Sequence, residues 1–408
     1  MRKADDLVKS CGIIAEYNPF HKGHQYQIEE AKKKSSADVM IVVMSGNFLQ
    51  RGEPAIVDKW KRAEMALSSG ADLVIELPVA FSVQSADYFA KGGVALLQEM
   101  QCDVLSFGTE SGTAEDFQLL AADWLKKEKQ IESTFHQLKN NGSTYSEQMQ
   151  QAAESVLSKT RLDLHSPNTI LGLAYAKENI RYNTPMLLEP IQRLGAGYHE
   201  KQIQNTPFQS ATAIRKQLLK QDSSGQFSVT DKQTIQNAVP AKALDILGNS
   251  QFVQWDAFWP FLKYQLIIQS KEQLREIYQM NEGIEYRLKQ CVTQAISFEQ
   301  FIELVKTKRY TWVRLQRLFT YILLQMTTKD VADALEGPKA IRVLGFSDAG
   351  QQYLSQIKKD VSIPIISRLH QKNKSLWEMD IQAGKIYQLA TGKVIEEQDF
   401  HRLPLRKN

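Results

Sequence analysis

Four short apolar runs, separated by helical patterns over the first 110 residues, constrain this chain more than any other feature. "CGIIAE" (11–16), "DVMIVVMS" (38–45), "ADLVIELP" (71–78) and "CDVLSFG" (102–108) are rich in Val, Ile and Leu and hardly alternate with polar residues. That is the pattern of strands covered on both faces. Residues 25–34, 59–69 (with Gly70 as a stop) and 85–100 carry helical periodicity between them. The resulting βαβαβαβ order predicts an α/β fold built on a Rossmann-like, doubly wound parallel sheet, with ligands at the carboxyl ends of the strands.

Beyond residue 110 the beat continues with helices expected at 114–128 and 145–158. A further helix opens at "SPNTILGLAYAKEN", with Ser166 as cap and Pro167 in the first turn. A fifth strand is expected at "MLLEPIQRL" (186–194), then a polar turn and helix at "FQSATAIRKQLL". The linker-like "KQDSSGQFSVTDKQT" (220–234) suggests a division into residues 1–225 and 226–408. The second part reads as mostly helical. A small α/β element follows near "AIRVLGFS" and "VSIPIIS", and then a polar tail.

Composition narrows the class of protein. The chain has 408 residues, 43% hydrophobic and 24% charged, which suits a soluble globular protein of two or three domains. Cys11, Cys102 and Cys291 lie far apart with no CxxC pairing, which argues against a disulfide framework or zinc knuckle and for a reducing, cytoplasmic setting. The first ten residues carry no apolar core, and no run is long enough to suggest a membrane span. The net charge of +4 is mild, so any nucleic-acid role would rest on clustered cations.

"NPFHKGH" (18–24) stands between the first strand and the first helix. Pro19 fixes φ and lacks a donor, while Gly23 lets backbone approach a ligand, so the segment can turn tightly onto a helix N-terminus, where phosphate is favoured. His21 and His24 could both face such an anion and stabilise its developing charge. They could also be structural histidines. A metal pair is disfavoured, because the helical metalloprotease motif needs i, i+4 spacing with a glutamate between.

These residues resemble the HxGH signature of the nucleotidyltransferase superfamily, and "QSATAIRKQL", with Ser210, Thr212 and Arg215, is similar to its second signature. The strings "AEYNPFHKGH", "VMSGNFLQRGEPAIVDKWKRAEMAL", "GADLVIELP", "SPNTILG" and "AGYHE" together resemble the bacterial tRNA(Met) cytidine acetate ligase family over nearly the whole chain. The departure is a polar segment of about ten residues before the first strand. The resemblance implies activation of acetate by ATP to acetyl-adenylate, with release of pyrophosphate. The acetyl group then passes to N4 of the wobble cytidine of elongator tRNA(Met), and Mg2+ accompanies the nucleotide. It implies that Gly12, Ile13, Ile14, Ala15, Glu16, Tyr17, Asn18, Pro19, Phe20, His21, Lys22, Gly23, His24 and Gln25 wrap the nucleotide, with His21 and His24 as the catalytic pair. Gly108, Asn168 and Arg193 would add nucleotide contacts, and Ser210, Thr212 and Arg215 would hold phosphates. Gly108 on its own reads equally as a turn glycine.

Two basic clusters are candidates for RNA. Lys59, Lys61 and Arg62 open a helix whose potential disfavours cations unless an anion is near, although a solvated face explains them equally well. "KTKRYTWVRLQR" carries Lys306, Lys308, Arg309, Arg314 and Arg317 with no acidic residue. Trp312, Leu315, Phe319 and Ile322 follow helical spacing and should pack inward, which leaves the cations for RNA phosphates. Arg342 is a weaker candidate. The alternative enzyme is an adenylyltransferase acting on a small phosphorylated metabolite. A non-catalytic nucleotide- or RNA-binding scaffold is the third class.

Overall fold

The computed structural model describes residues 8–138, 145–194, 208–219, 235–391, 398–400 and 402–407. The expected linker at 220–234, the division at 225 and "AGYHE" (196–200) lie outside these.

β1 (Ser10–Ala15), β2 (Val39–Ser45), β3 (Leu73–Leu77), β4 (Val104–Thr109) and β5 (Leu187–Gln192) form the parallel part of one sheet. Successive side chains point to opposite faces, and both faces are covered. Ile14, Ile41, Val43, Ile75 and Leu105 enter one core, and Ile13, Met40, Val42, Val74 and Val104 the other. The apolar runs lack polar alternation for this reason. α1 (Lys22–Ser35) and α2 (Lys59–Ser68) cover the second face with Ile28, Ala31, Trp60 and Ala63. On the first face lie the short α3 (Val79–Ser82), α4 (Ala86–Glu99), α5 (Ala114–Gln137) and α7 (Pro167–Asn179), through Phe81, Leu97, Phe117 and Leu173. α6 (Tyr145–Val156) lays Ala152 and Ala153 against Ile131 and Phe135 of α5. α5 thus runs past the expected end at 128.

The strand order is β5-β4-β1-β2-β3-β6-β7. The path steps from β1 through β2 to β3 in one direction and from β4 to β5 in the other, so the sheet has its switch point between β1 and β4. The carboxyl ends of two neighbouring strands there lead to opposite faces and leave a crevice.

The chain beyond residue 240 is helical, and its longest elements include Trp255–Ile268 and Trp312–Leu324. Leu315, Phe319 and Ile322 are buried as the spacing predicts, and Trp312 packs partly buried against the core. These helices share one continuous apolar cluster with the sheet, through Phe48, Phe258 and Phe319. The small α/β element joins the same sheet. β6 (Ile341–Phe346) pairs antiparallel with β3, β7 (Ile365–Ile366) extends it, and β8 (Leu405–Arg406) pairs with β6. β6 covers the β3 edge, whose open N–H and C=O groups would otherwise template aggregation. The sheet and its core therefore draw on chain from both sides of residue 225. The expected polar tail is in part structural, since Asp399 is fully buried.

Candidate active site

β1 delivers the chain to the switch point, and a sharp turn follows. Tyr17 sits at φ 52°, an uncommon conformation for an aromatic residue, and its ring is buried between its neighbours. Asn18 fastens the turn on three sides. Its Oδ1 accepts from Ile56 N at 2.8 Å, its Nδ2 donates to Glu53 at 3.3 Å, and its carbonyl accepts from Arg215 Nη1 at 2.8 Å. Phe20 is fully buried and packs edge-on against Tyr17.

His21 is the N-cap of α1. Its Nδ1 accepts from Gly23 N at 3.0 Å, and His24 Nδ1 accepts from His21 N at 3.3 Å, so the histidines form a reciprocal capping box. Their rings stack with centroids 3.6 Å apart and planes 22° apart. Because both Nδ1 atoms accept, the proton of each neutral ring belongs on Nε2. The pair thus keeps two Nε2–H donors for a ligand. Burial, then the nearby Arg193 and Arg215, pushes the His21 pKa down to about 3. Burial also holds His24 well below its usual value, followed by the influence of His21 and Arg193. Gly23 is required locally, since a Cβ there would lie 2.8 Å from His21 Cε1.

His21, Gly23, His24, Tyr26 and Gln27 form one wall of an open cleft at the switch point. Gly108, from the end of β4, forms part of its floor. Ile191, Gln192, Arg193, Leu194, Phe208 and Gln209 complete the lining. A Cβ on Gly108 would meet only the Arg193 stem, at 3.6 Å, so the protein itself tolerates a side chain there. The backbone of Arg193 is held by Thr109 O at 3.0 Å. Cationic and neutral donors thus converge on a helix N-terminus, an arrangement suited to a polyphosphate.

The other sequence candidates fall around this cleft in distinct ways. Gly12, Ile13, Ile14 and Ala15 belong to β1, and a Cβ on Gly12 would strike Leu97, so these residues build the sheet. Glu16 accepts from Gln50 N at 2.6 Å, and burial raises its carboxyl pKa. Ser210 caps α8 (Ala211–Leu218) by accepting from Ala213 N at 3.1 Å. Arg215 contacts Thr212 Oγ1 and pairs with Glu53 at 3.2 Å, so the second motif clips onto the first. Asn168 does not line the cleft. It donates to Glu110, whose carboxylate lies 3.8 Å from Arg193. Tyr26, Gln27, Phe208, Gln209 and Glu110 were missed by sequence reasoning. Tyr26, Gln27 and Phe208 neighbour the motifs by one to three positions and Gln209 opens the second one, which is a usable signal.

The RNA candidates need correction. Lys59 is buried between Glu76, at 2.8 Å, and Asp399, at 2.7 Å, so the anion near its helix start comes from the protein. Arg62 is fully buried and donates to the carbonyls of Val57, Glu16, Ser45 and Gly46. Arg317 donates to Gln50 O at 2.7 Å, and Arg342 is buried on the carbonyls of Ser367, Asp399 and Arg402. Lys59 and Arg62 are satisfied inside the fold, Arg342 is buried with only its Nε unpaired, and Arg317 is half-buried against the Gln50 carbonyl, so none of them is a freely exposed cation. Arg314 is partly exposed but lies over Tyr310 and pairs with Asn281 and Glu282. Lys306, Lys308 and Arg309 are exposed in the turn before the helix Trp312–Leu324.

Comparison with known proteins adds the following. The model of the HIGH Nucleotidyl Transferase family matches residues 8–401. A protein of Geobacillus sp. (strain WCH70) named tRNA(Met) cytidine acetate ligase is 41% identical over 386 residues, covering 93% of this chain and 94% of its own length. One of the same name from Ligilactobacillus salivarius is 42% identical over 403 residues, 98% of this chain and all of its own. The crystal structure of Thermotoga maritima TmcAL bound with alpha-thio ATP matches with a TM-score of 0.87 at 29% identity, covering 98% of this chain and 100% of that one.

Proposed function

Given that the chain belongs to the HIGH nucleotidyl transferase family, and within it to the tRNA(Met) cytidine acetate ligases, we propose that its cleft activates acetate with ATP for transfer to tRNA. ATP lies with its phosphates across the Nε2–H groups of His21 and His24, with Arg193 alongside. An acetate oxygen attacks the α-phosphorus, the bond to the β-phosphate oxygen breaks, and pyrophosphate leaves with the electron pair. The histidines donate hydrogen bonds to the phosphate oxygens as charge moves onto the leaving group, so their contribution is electrostatic. N4 of the wobble cytidine (position 34) of elongator tRNA(Met) then attacks the acetyl carbon. AMP leaves, the amine gives up a proton, and N4-acetylcytidine forms. Gly108 leaves room for the nucleotide, while Ser210, Thr212 and Arg215 keep the histidine turn in place.

Among the described residues the cleft wall carries no carboxylate, and no group of three acidic, histidine or cysteine side chains is arranged to hold a metal. A resident metal site does not fit these residues. Magnesium would arrive as the counter-ion of the nucleotide, on phosphate oxygens and water.

For RNA the reading rests on Lys306, Lys308 and Arg309, with Arg314 behind them. The segment 1–225 supplies the nucleotide site, and 226–408 presents the RNA and completes the sheet. A cytoplasmic setting suits the three free, buried cysteines. No helix among the described residues is long and apolar enough to cross a membrane.

The stacked histidine capping box at the switch point is the observation that carries this reading. To test it, the purified protein is incubated with labelled acetate, ATP and total tRNA. Label in N4-acetylcytidine is expected without acetyl-CoA. A strict need for acetyl-CoA, or pyrophosphate release without acetate, would overturn it.

A further inference from the structure

Glu110, one residue past the end of β4, has a side chain that neither motif includes and that does not line the cleft. It nevertheless ties two residues of the cleft lining, Gln192 and Arg193, to the start of α7, which lies outside that lining. One carboxylate oxygen accepts from Asn168 Nδ2 and lies 3.8 Å from Arg193 Nε. The other accepts from Thr169 N at 3.1 Å and from Thr169 Oγ1 at 3.3 Å. The Glu110 carbonyl accepts from Gln192 Nε2 at 2.7 Å, which ties it to the end of β5. The N-cap of α7, Ser166, makes no side-chain capping bond of its own and donates instead to Asp163. Glu110 therefore supplies the acceptor that the first turn of α7 lacks, from a strand 59 residues away in sequence at Thr169.

We infer that Glu110 is a positioning residue for the nucleotide, acting through Asn168 and Arg193. A carboxylate only accepts, so it turns the Asn168 amide nitrogen toward itself and leaves the amide oxygen to accept from the part of a nucleotide that extends past Arg193 beyond the cleft lining. The same carboxylate draws the Arg193 guanidinium toward the mouth of the cleft beside Gly108. One acidic group thereby sets a neutral acceptor and a cation relative to each other, where a nucleotide presents both hydroxyl or amino donors and phosphate. This rests on the reading that ATP occupies the cleft.

The test measures ATP affinity by calorimetry, together with KM for ATP, KM for tRNA and thermal stability, for Glu110→Ala, Glu110→Gln, Asn168→Ala and Glu110→Ala with Asn168→Ala. Removing a charge-assisted hydrogen bond should weaken ATP about tenfold in Glu110→Ala, with KM for tRNA unchanged. Glu110→Gln, which keeps an acceptor oxygen, should recover part of that affinity. The double variant should lose less affinity than the product of the two single losses, because part of the Glu110 effect passes through Asn168. Multiplying effects in the double variant, or a lowered melting temperature with ATP affinity intact, would overturn the inference. If Glu110→Ala does not fold, the cycle is run with Glu110→Gln, whose effect must be smaller on the Asn168→Ala background than in the wild type. Wild-type protein that bound no ATP would overturn the nucleotide reading itself, a result distinct from wild-type binding that Glu110→Ala leaves unchanged.

Discussion

The histidine capping box makes acid stability a direct reading of the turn between β1 and α1. His21 titrates near 6.5 in an unfolded chain and is pushed down to about 3 in the fold. Between these values the unfolded state binds the extra proton, so stability rises with pH through this window. The His21 contribution is fully present above about 6.5 and is lost as the pH falls toward 3. At about 1.36 kcal/mol per unit, His21 alone should cost roughly 2 kcal/mol between pH 7.5 and pH 5. The physical reason is local as well as electrostatic. Protonation would turn Nδ1 from the acceptor of Gly23 N into a donor facing a donor, and the cap would fail. His21→Asn separates these effects, because asparagine is an equally good N-cap and does not titrate. Urea midpoints by circular dichroism for both proteins at pH 7.5 and pH 5 give the difference of differences. Wild type should lose more stability than His21→Asn on acidification, by roughly 2 kcal/mol. Nitrogen-15 imidazole spectra of the wild type should show the Nε2–H form of His21 persisting to pH 5. Equal acid destabilisation of the two proteins, or an imidazolium signal for His21 near pH 6, would refute the reasoning.

Other expectations follow from the same interactions. Lys59→Met leaves Glu76 and Asp399 buried without their shared cation and should cost about 3–5 kcal/mol in urea denaturation. Part of that deficit should return at low pH, because burial already raises the Glu76 pKa and protonation removes the uncompensated charge. Gly108→Ala should keep its melting temperature, since its Cβ meets only the Arg193 stem, yet bind ATP measurably more weakly. Lys306→Ala with Lys308→Ala should weaken tRNA uniformly and reduce the salt dependence of binding by about one unit for each phosphate no longer neutralised, with ATP affinity unchanged.

The sheet was legible because burial on both faces writes itself locally, as unbroken apolar runs such as "VMIVVMS". The histidine pair was legible for a related reason, since cap, glycine and partner lie within four residues. What escaped was set by long-range geometry. The second half of α5 is mostly polar, and only its packing with α6 shows why Ile131 and Phe135 recur on one side. β6 reads as a strand, but nothing near it says that its partner is β3. Cations mislead most. A lysine facing RNA and a lysine buried against Asp399, 340 residues away, look alike in sequence. Glu110 escaped in the same way, because its meaning depends on an amide and a guanidinium brought to it by α7 and β5.

The buried cations that were misread as RNA contacts serve the fold instead. At and just past the ends of β1 and β2 the carbonyls of Glu16, Ser45 and Gly46 converge on one guanidinium. Arg62 fills that place with its guanidinium and accounts for all three acceptors. Left bare, they would carry the desolvation cost of buried, unpaired carbonyls. Glu16, held by the same residue through its carbonyl, takes Gln50 N with its carboxylate, and the Gln50 carbonyl takes Arg317 from the helix Trp312–Leu324. A short chain of hydrogen bonds thus runs from the strand before the histidine turn to the helix that follows Lys306, Lys308 and Arg309. The exposed cations and the nucleotide cleft are consequently fastened to one sheet and one core. On the proposed reading, an RNA bound at that turn would be placed relative to the cleft by this packing.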